Sequence, residues 1–298
     1  MKLSEALRRK VEQLKESSVR FSSTRRCFVD RATMKKKRGL TKMLARMLPV
    51  PSSASRVPNE ADKGKRVSRF AGDVLKQCGT CKSALAVALR EAGDGLGERL
   101  RRERNYDRRH GTVVDHQVAI YAGLGREELF RQCQAVDPCV GTLIEYLDQE
   151  GLIGFASQTP IYCSEIDCAT AVDLFATDRA TRSRLVLFEL KSTCAMTGDA
   201  VREYEATHGV MTRGALQGLP LSYLTRHRAQ LLSMREMIRR QLGLRVDDAQ
   251  LLRLAPGVVH TYNSSSVIDA RADALFAAMR KNMMQRARRR QRLAKQGK

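Results

Sequence analysis

Between residues 159 and 193 the chain passes through three strand-like runs, TPIYCSEID, TAVDLFAT and RLVLFELKST, joined by short polar connections such as DRATRS. Apolar, β-branched and aromatic residues fill each run, and turn-forming residues bound it. Connections this short keep consecutive strands adjacent, so the segment predicts a meander at the heart of one sheet. The third run is apolar on both faces around Leu185, Val186, Leu187, Phe188 and Leu190, which is the pattern of a strand covered on both sides.

Helical spacing surrounds this meander. FAGDVLKQ, SALAVALREA, DHQVAIYAGL and ELFRQCQAVDPCVGTLIEYLDQEG precede it, the last with a break at Asp137-Pro138. A long amphipathic helix is predicted over about 220–242, then a strand around AQLLRLAP, then a helix from about 268 that runs into the basic end. The order helices, strands, helix, strand, helix gives an α/β or α+β domain with one mixed sheet flanked by helices.

Charge divides the chain further. The formal net charge is +22. Residues 1–70 hold 20 Lys or Arg against 6 Asp or Glu, residues 278–298 hold nine basic residues and no acid, and the middle is close to neutral. The expected organisation is therefore a basic, largely disordered tail over 1–70, a folded domain over 71–278 and a basic tail over 279–298. PVPSSASRVPNEADKGKR is too polar and Pro-rich to offset its ordering entropy, and short helices near 2–16 and 39–47 are expected to be exposed.

Such an excess of positive charge calls for a polyanionic partner, and nucleic acid, DNA first, is the expectation. A membrane is not expected, since no long apolar run or aromatic anchor is present. Lys35, Lys36, Lys37 and Arg38, with Arg286, Arg288, Arg289 and Arg290, are the candidate phosphate contacts or nuclear-import signals. The basic runs suggest a nucleus, a host nucleus if the chain is viral. A mitochondrial presequence is the alternative, and Glu5, Glu12 and Glu16 argue against it. The eight cysteines are expected as reduced thiols, with Cys78 and Cys81 a lone CxxC short of a zinc ligand set.

Two acids and a lysine stand in the meander where strands rarely carry them. Asp173 ends one apolar strand, and Glu189 and Lys191, two apart on the next, point to one face. On neighbouring strands the three converge at one edge of the sheet. Alone, Glu-x-Lys reads as a strand salt bridge. Joined by the preceding acid, the set suits phosphodiester hydrolysis: Asp173 and Glu189 as oxygen ligands of Mg²⁺, the Leu190 backbone carbonyl as a third, and Lys191 to orient or deprotonate the attacking water and stabilise developing charge.

Thr170-Ala171-Val172-Asp173 followed by Leu187-Phe188-Glu189-Leu190-Lys191-Ser192-Thr193 resembles the PD-(D/E)XK nuclease superfamily, in its RecB-like and viral or phage alkaline-exonuclease branches. The resemblance spans roughly residues 105–265. It implies a restriction-endonuclease-like core, Mg²⁺ with Mn²⁺ as a substitute, and exonuclease activity in DNA replication, recombination or repair. It also implies a helix bearing a Gln, a place filled by His227-Arg228-Ala229-Gln230-Leu231, with Gln230 positioning Lys191 or contacting the DNA backbone; Arg226 and Arg228 of the same stretch are further candidate nucleic-acid contacts. RecB-like members carry an upstream helix with a Gly and a metal-assisting His, similar to Gly111-Thr112-Val113-Val114-Asp115-His116, which makes His116 a candidate ligand. Asp115 stands where that His is common, and Met234 replaces an aromatic residue after the Gln. Only Cys194 follows the motif, so no iron–sulfur cluster is expected. Glu165 and Glu145 are further acids in range, and Asp167 and Asp178 read as turn residues. The alternatives are a structure-specific endonuclease of junction-resolvase type and a non-enzymatic nucleic-acid-binding protein with a degenerate nuclease core.

Overall fold

A computed structural model describes residues 19–22, 27–35, 37–48, 96–192, 211–212, 214–263 and 266–296, with Arg9, Val11, Gln13 and Glu205 as single positions. The elements are β1 (Val19–Ser22), β2 (Cys27–Asp30), β3 (Arg38–Gly39), α1 (Leu40–Met47), α2 (Leu96–Leu124), α3 (Arg126–Gln132), α4 (Pro138–Gln149), β4 (Leu152–Cys163), β5 (Cys168–Asp178), β6 (Leu185–Ser192), α5 (Tyr223–Leu242), β7 (Asp248–Ala255), β8 (Val258–Asn263), α6 (Ser266–Asp269) and α7 (Ala272–Gln296). The fold is mixed α/β, with a six-stranded sheet between helices, as the order of elements suggested. FAGDVLKQ, SALAVALREA and the CxxC lie outside the described residues.

The meander forms as read. β4 pairs antiparallel along the whole of β5, from Leu152 opposite Asp178 to Cys163 opposite Cys168. β6 pairs antiparallel with β5 only over Leu174–Thr177, then continues parallel to β7 as far as Ser192 opposite Leu254. β3 pairs parallel with β5 at Cys168 and Ala169. Because β4 takes one edge of β5 throughout, β3 and β6 share the other edge, and the stretch from Thr170 to Asp173 lies open between them. The sheet forks there.

Each face carries its own core. α1, α5 and α7 cover Phe175, Leu185, Leu187 and Leu251, while α2 and α4 cover Leu174, Ala176, Val186, Phe188, Leu252 and Leu254. The residues of β6 from Leu185 to Leu190 are all buried, which explains its unbroken apolar character. α2 is drawn onto the sheet at Gly154, where a Cβ would come within 3.0 Å of Leu174 and 3.1 Å of the Tyr121 ring; a larger residue there would push the helix away. Asp137 makes the predicted break between α3 and α4 by capping α4: its side chain accepts the Cys139 N–H at 2.9 Å, and Pro138 occupies the first turn. Asp178 is a turn residue, accepting backbone N–H bonds from Arg182, Ser183 and Arg184, and Asp167 turns the chain in the left-handed region at φ 43°.

The expected boundaries at 70 and 278 do not hold. The described residues of 27–48 belong to the same fold: β3 joins the central sheet, and Leu40, Met43 and Leu44 of α1, with Leu48 just after it, are buried completely or nearly so. The i, i+3, i+4, i+8 spacing of those four is an amphipathic helix with a real partner. The helix at 39–47 is therefore correct and its expected exposure is not. At the other end α7 carries straight through residue 278, with Leu275, Phe276 and Met279 in the core and Arg288 exposed. β8 was not anticipated. Its signal is Pro256-Gly257, which links Ala255 to Val258 as a two-residue hairpin with Gly257 at φ 72°. No described helix is long and apolar enough to cross a membrane. Cys27, Cys133, Cys139, Cys163 and Cys168 are free thiols.

Candidate acidic site at the fork of the sheet

The fork places chemistry where the main-chain ladder stops. The last β5–β6 pair is Leu174 opposite Phe188. One residue further, the Asp173 side chain takes over from the backbone, its Oδ2 accepting the Leu190 N–H at 2.8 Å. The N–H and C=O of one strand residue face the same edge, so the Leu190 carbonyl also looks into the fork. Across β4, Gln158 reaches Asp173 Oδ1 at 3.4 Å from a backbone with φ 45°, an unusual conformation for a non-glycine residue within a strand.

Glu189 and Lys191 follow on the α5 face of β6. Glu189 is 1% exposed. Its Oε1 accepts from Lys191 Nζ and from Gln230 Nε2, the latter at 2.8 Å, while its Oε2 is buried with no hydrogen-bond partner. Gln230 is itself buried within α5, whose start is fixed by the Ser222 side chain accepting the Thr225 N–H at 3.0 Å. Asp173, Glu189, Lys191 and Gln230 are thus brought together in one site.

The candidate His116 and its neighbour Asp115 lie in different surroundings. His116 is exposed and lines a separate pocket with Thr112, Gln117, Cys133 and Ala135. Asp115 instead faces the fork, close enough to Asp173 and Lys191 for their charges to act on it. The expected ligand was His116; the clue to Asp115 was that it stands where the resemblance implied a histidine. Gln158 was missed altogether, because a left-handed residue inside a strand leaves no mark in residue type.

Electrostatics follow from crowding acids in a partly dry place. Burial, then the neighbouring Asp173, pushes the Glu189 carboxyl up to about 7. Burial and Asp173 also push Asp115 up to about 6, although its side chain keeps access to solvent. Burial raises Asp173 too, against the opposing effects of Lys191 and the Leu190 N–H. Burial opposes the charge of Lys191, but Glu189 and Asp173 outweigh it and hold the ammonium form. The site is an acid cluster short of positive charge, with one lysine fixed in its wall.

The remaining candidates lie elsewhere. Lys37 donates to Tyr162 Oη at 3.1 Å and Asp167 at 3.3 Å, and Arg38 donates to Asn282 at 3.2 Å, so both are engaged in holding β3 and α7. Lys35 is exposed and Lys36 lies outside the described residues. Arg226 packs over the Tyr223 ring at 4.8 Å, and Arg228, also on α5, is half-buried. Arg288 is exposed on α7; the side chains of Arg286, Arg289 and Arg290 lie outside the described residues. Glu165 pairs with Arg240 at 3.0 Å, and Glu145 is exposed on α4.

Among the described residues, the one group of three ligand side chains with all donor atoms within 4.8 Å of one another is His110, Asp137 and Cys139. Its donors already serve the fold: His110 Nε2 meets Asp137 Oδ2 at 3.0 Å, Asp137 caps α4, and the Cys139 thiol reaches the Leu254 carbonyl at 3.7 Å. At the fork, by contrast, Asp173 and Glu189 lie close enough for their charges to interact, and Asp115 feels Asp173 as well. Comparison with the models of known protein families and with curated proteins returns no match for this chain.

Proposed function

We propose that this chain is a metal-dependent nuclease that hydrolyses DNA phosphodiester bonds at the fork, acting from free ends. The observation that carries the reading is Glu189: a fully buried carboxylate with one oxygen held by Lys191 and Gln230 and the other, Oε2, buried without a partner. An orphaned buried acceptor costs about 1–3 kcal/mol, which a cation would recover. The donors are carboxylate and carbonyl oxygens, the set that Mg²⁺ or Mn²⁺ prefers.

Asp173, Glu189 and the Leu190 carbonyl would hold that ion, with Asp115 as an outer acid. A bound Mg²⁺ would neutralise phosphate charge and make water a stronger nucleophile. Lys191, kept as an ammonium by the two acids, donates to the attacking water or to a phosphoryl oxygen, and so stabilises developing negative charge rather than removing a proton. Gln230 fixes the Glu189 carboxylate from the helix side, and Gln158 steadies Asp173 from β4.

Metal affinity should depend on pH in a defined direction. Glu189 and Asp115 sit at about 7 and about 6, so each holds a proton that a cation must displace in mildly acidic solution. Mg²⁺ affinity is expected to climb from about pH 5.5 to 7.5, by up to about tenfold per pH unit for each proton released, and then to level off. Calorimetric titration in buffers of different ionisation enthalpy measures that release directly. A pH-independent affinity would place the ion elsewhere.

The preference for free ends is tested with linear and covalently closed duplex DNA of one sequence. The linear form should be degraded in Mg²⁺ and the closed circle spared; rapid cutting of the circle would assign an endonuclease.

A further inference from the structure

β4 and β5 break their side-chain alternation at one facing pair. In a regular strand, residues an odd number apart point to opposite faces, yet Ala156 and Ile161 of β4 pack in the same core. On β5 the reverse occurs: Val172 and Leu174, two apart, belong to opposite cores. Ser157 pairs with Leu174 and Thr159 with Val172, which sets Gln158 opposite Asp173 at the centre of both breaks. Gln158 itself turns β4 over, at φ 45° in the left-handed region. Glycine makes that turn without strain, whereas the Cβ of a glutamine crowds the following carbonyl, and a side chain this long lacks the local hydrogen bond by which Asn or Asp tolerates it. The fold therefore accounts for a left-handed residue here but not for a glutamine.

What the glutamine adds is its amide. Gln158 Nε2 donates to Asp173 Oδ1 at 3.4 Å, while Asp173 Oδ2 accepts the Leu190 N–H at 2.8 Å. Each oxygen of one carboxylate is thereby tied to a different neighbouring strand, and the group is slung across the fork between β4 and β6. An ionised carboxylate has about four acceptor positions, so these two bonds leave places for a cation. We propose that Gln158 is a positioning residue, kept in a strained left-handed conformation at a cost in fold stability because its amide holds the Asp173 carboxylate ready for a divalent cation; its part in cleavage rests on the nuclease reading above. A ligand fixed from both sides loses little freedom when it takes up an ion, and outer partners of this kind are worth about 10–100-fold in metal affinity. Left-handed strain at a site-facing residue is where stability and function pull in opposite directions.

The probe is Mn²⁺, titrated into the full chain and followed through the paramagnetic resonance of the free ion; the binding lost in Asp173→Asn is the binding at the fork. Gln158→Gly keeps the turn of β4 and removes the amide. Its affinity for Mn²⁺ should fall about tenfold, while its melting temperature in EDTA should hold or rise by up to about 4 °C. Arg182→Gly is the control, a left-handed residue at φ 58° in the turn between β5 and β6, at the far end of β6 from the fork. It should affect melting in the same direction and leave Mn²⁺ binding unchanged. If Gln158→Gly does not fold by circular dichroism, Gln158→Asn decides: it tolerates the backbone but is one carbon too short to reach Asp173, and the same loss is expected. In cleavage assays Gln158→Gly should lower kcat and leave KM for DNA within about twofold. Unchanged Mn²⁺ affinity in the folded variant, no Mn²⁺ bound at the fork of the wild type, or a melting temperature lowered by more than about 4 °C overturns the role. If Gln158→Gly weakens Mn²⁺ binding as expected but the wild type cuts no DNA in Mg²⁺ or Mn²⁺, the positioning role stands and the nuclease reading falls. If wild type and Gln158→Gly cut DNA equally in Mg²⁺ and share one Mn²⁺ affinity, the reverse holds.

Discussion

Lys191→Ala is expected to lower DNA cleavage by roughly 10²–10³-fold, the usual cost of removing one preorganised donor from a site that stabilises developing negative charge. Lys191 is the cation in direct contact with Glu189, and its side chain remains 32% exposed, so it can meet a substrate as well as the acid. Binding of DNA should change by less than about tenfold, because loss of one cation among many removes about one counterion's worth of affinity. Removing the lysine also leaves Glu189 with Gln230 alone, so its carboxyl should hold its proton to higher pH and bind Mg²⁺ more weakly near neutrality. Single-turnover cleavage beside equilibrium binding separates the two effects. Turnover within a few-fold of the wild type would remove Lys191 from the site.

Leu44→Ala is expected to cost about 2–5 kcal/mol, a large part of the 5–15 kcal/mol that holds a typical domain together. Leu44 is fully buried on α1, against the core shared by α5 and the α5 face of the sheet. For a domain of this size the melting temperature should fall by roughly 5–15 °C, and deletion of residues 1–48 should prevent stable folding. If this segment were a solvated basic tail, neither change would matter. A melting shift under about 2 °C for Leu44→Ala would restore that reading.

The error about α1 shows what sequence can and cannot reveal. Leu40, Met43, Leu44 and Leu48 carry a plain helical stripe, but Lys35, Lys36, Lys37, Arg38 and Lys42 surround it, and average charge outweighed pattern. A helix of eight residues is marginal by itself, so its existence depends on a partner distant in the chain, which no local signal announces. The meander was legible because its strands are consecutive: composition, alternation and turn residues agree over Thr159–Thr193. The convergence of Asp173 and Glu189 was legible for the same reason, since adjacent strands leave few registers to choose from. What local pattern could not supply was the fork itself. That β6 leaves β5 after Leu174 and Phe188, and that β3 returns to the same edge, is decided by tertiary pairing. Asp115 joins the site by that route, from a helix across the sheet.

A cation held at the fork should make cleavage of phosphodiester bonds depend on both metal and Asp173. End-labelled linear duplex should be incubated with the wild type and with Asp173→Asn, each in Mg²⁺ and in EDTA. Asp173→Asn keeps an oxygen that can accept the Leu190 N–H while losing the charge needed to hold the ion. Metal-dependent release of label by the wild type alone is the predicted result. Equal release by both proteins, release in EDTA, or no release in either Mg²⁺ or Mn²⁺ would contradict it.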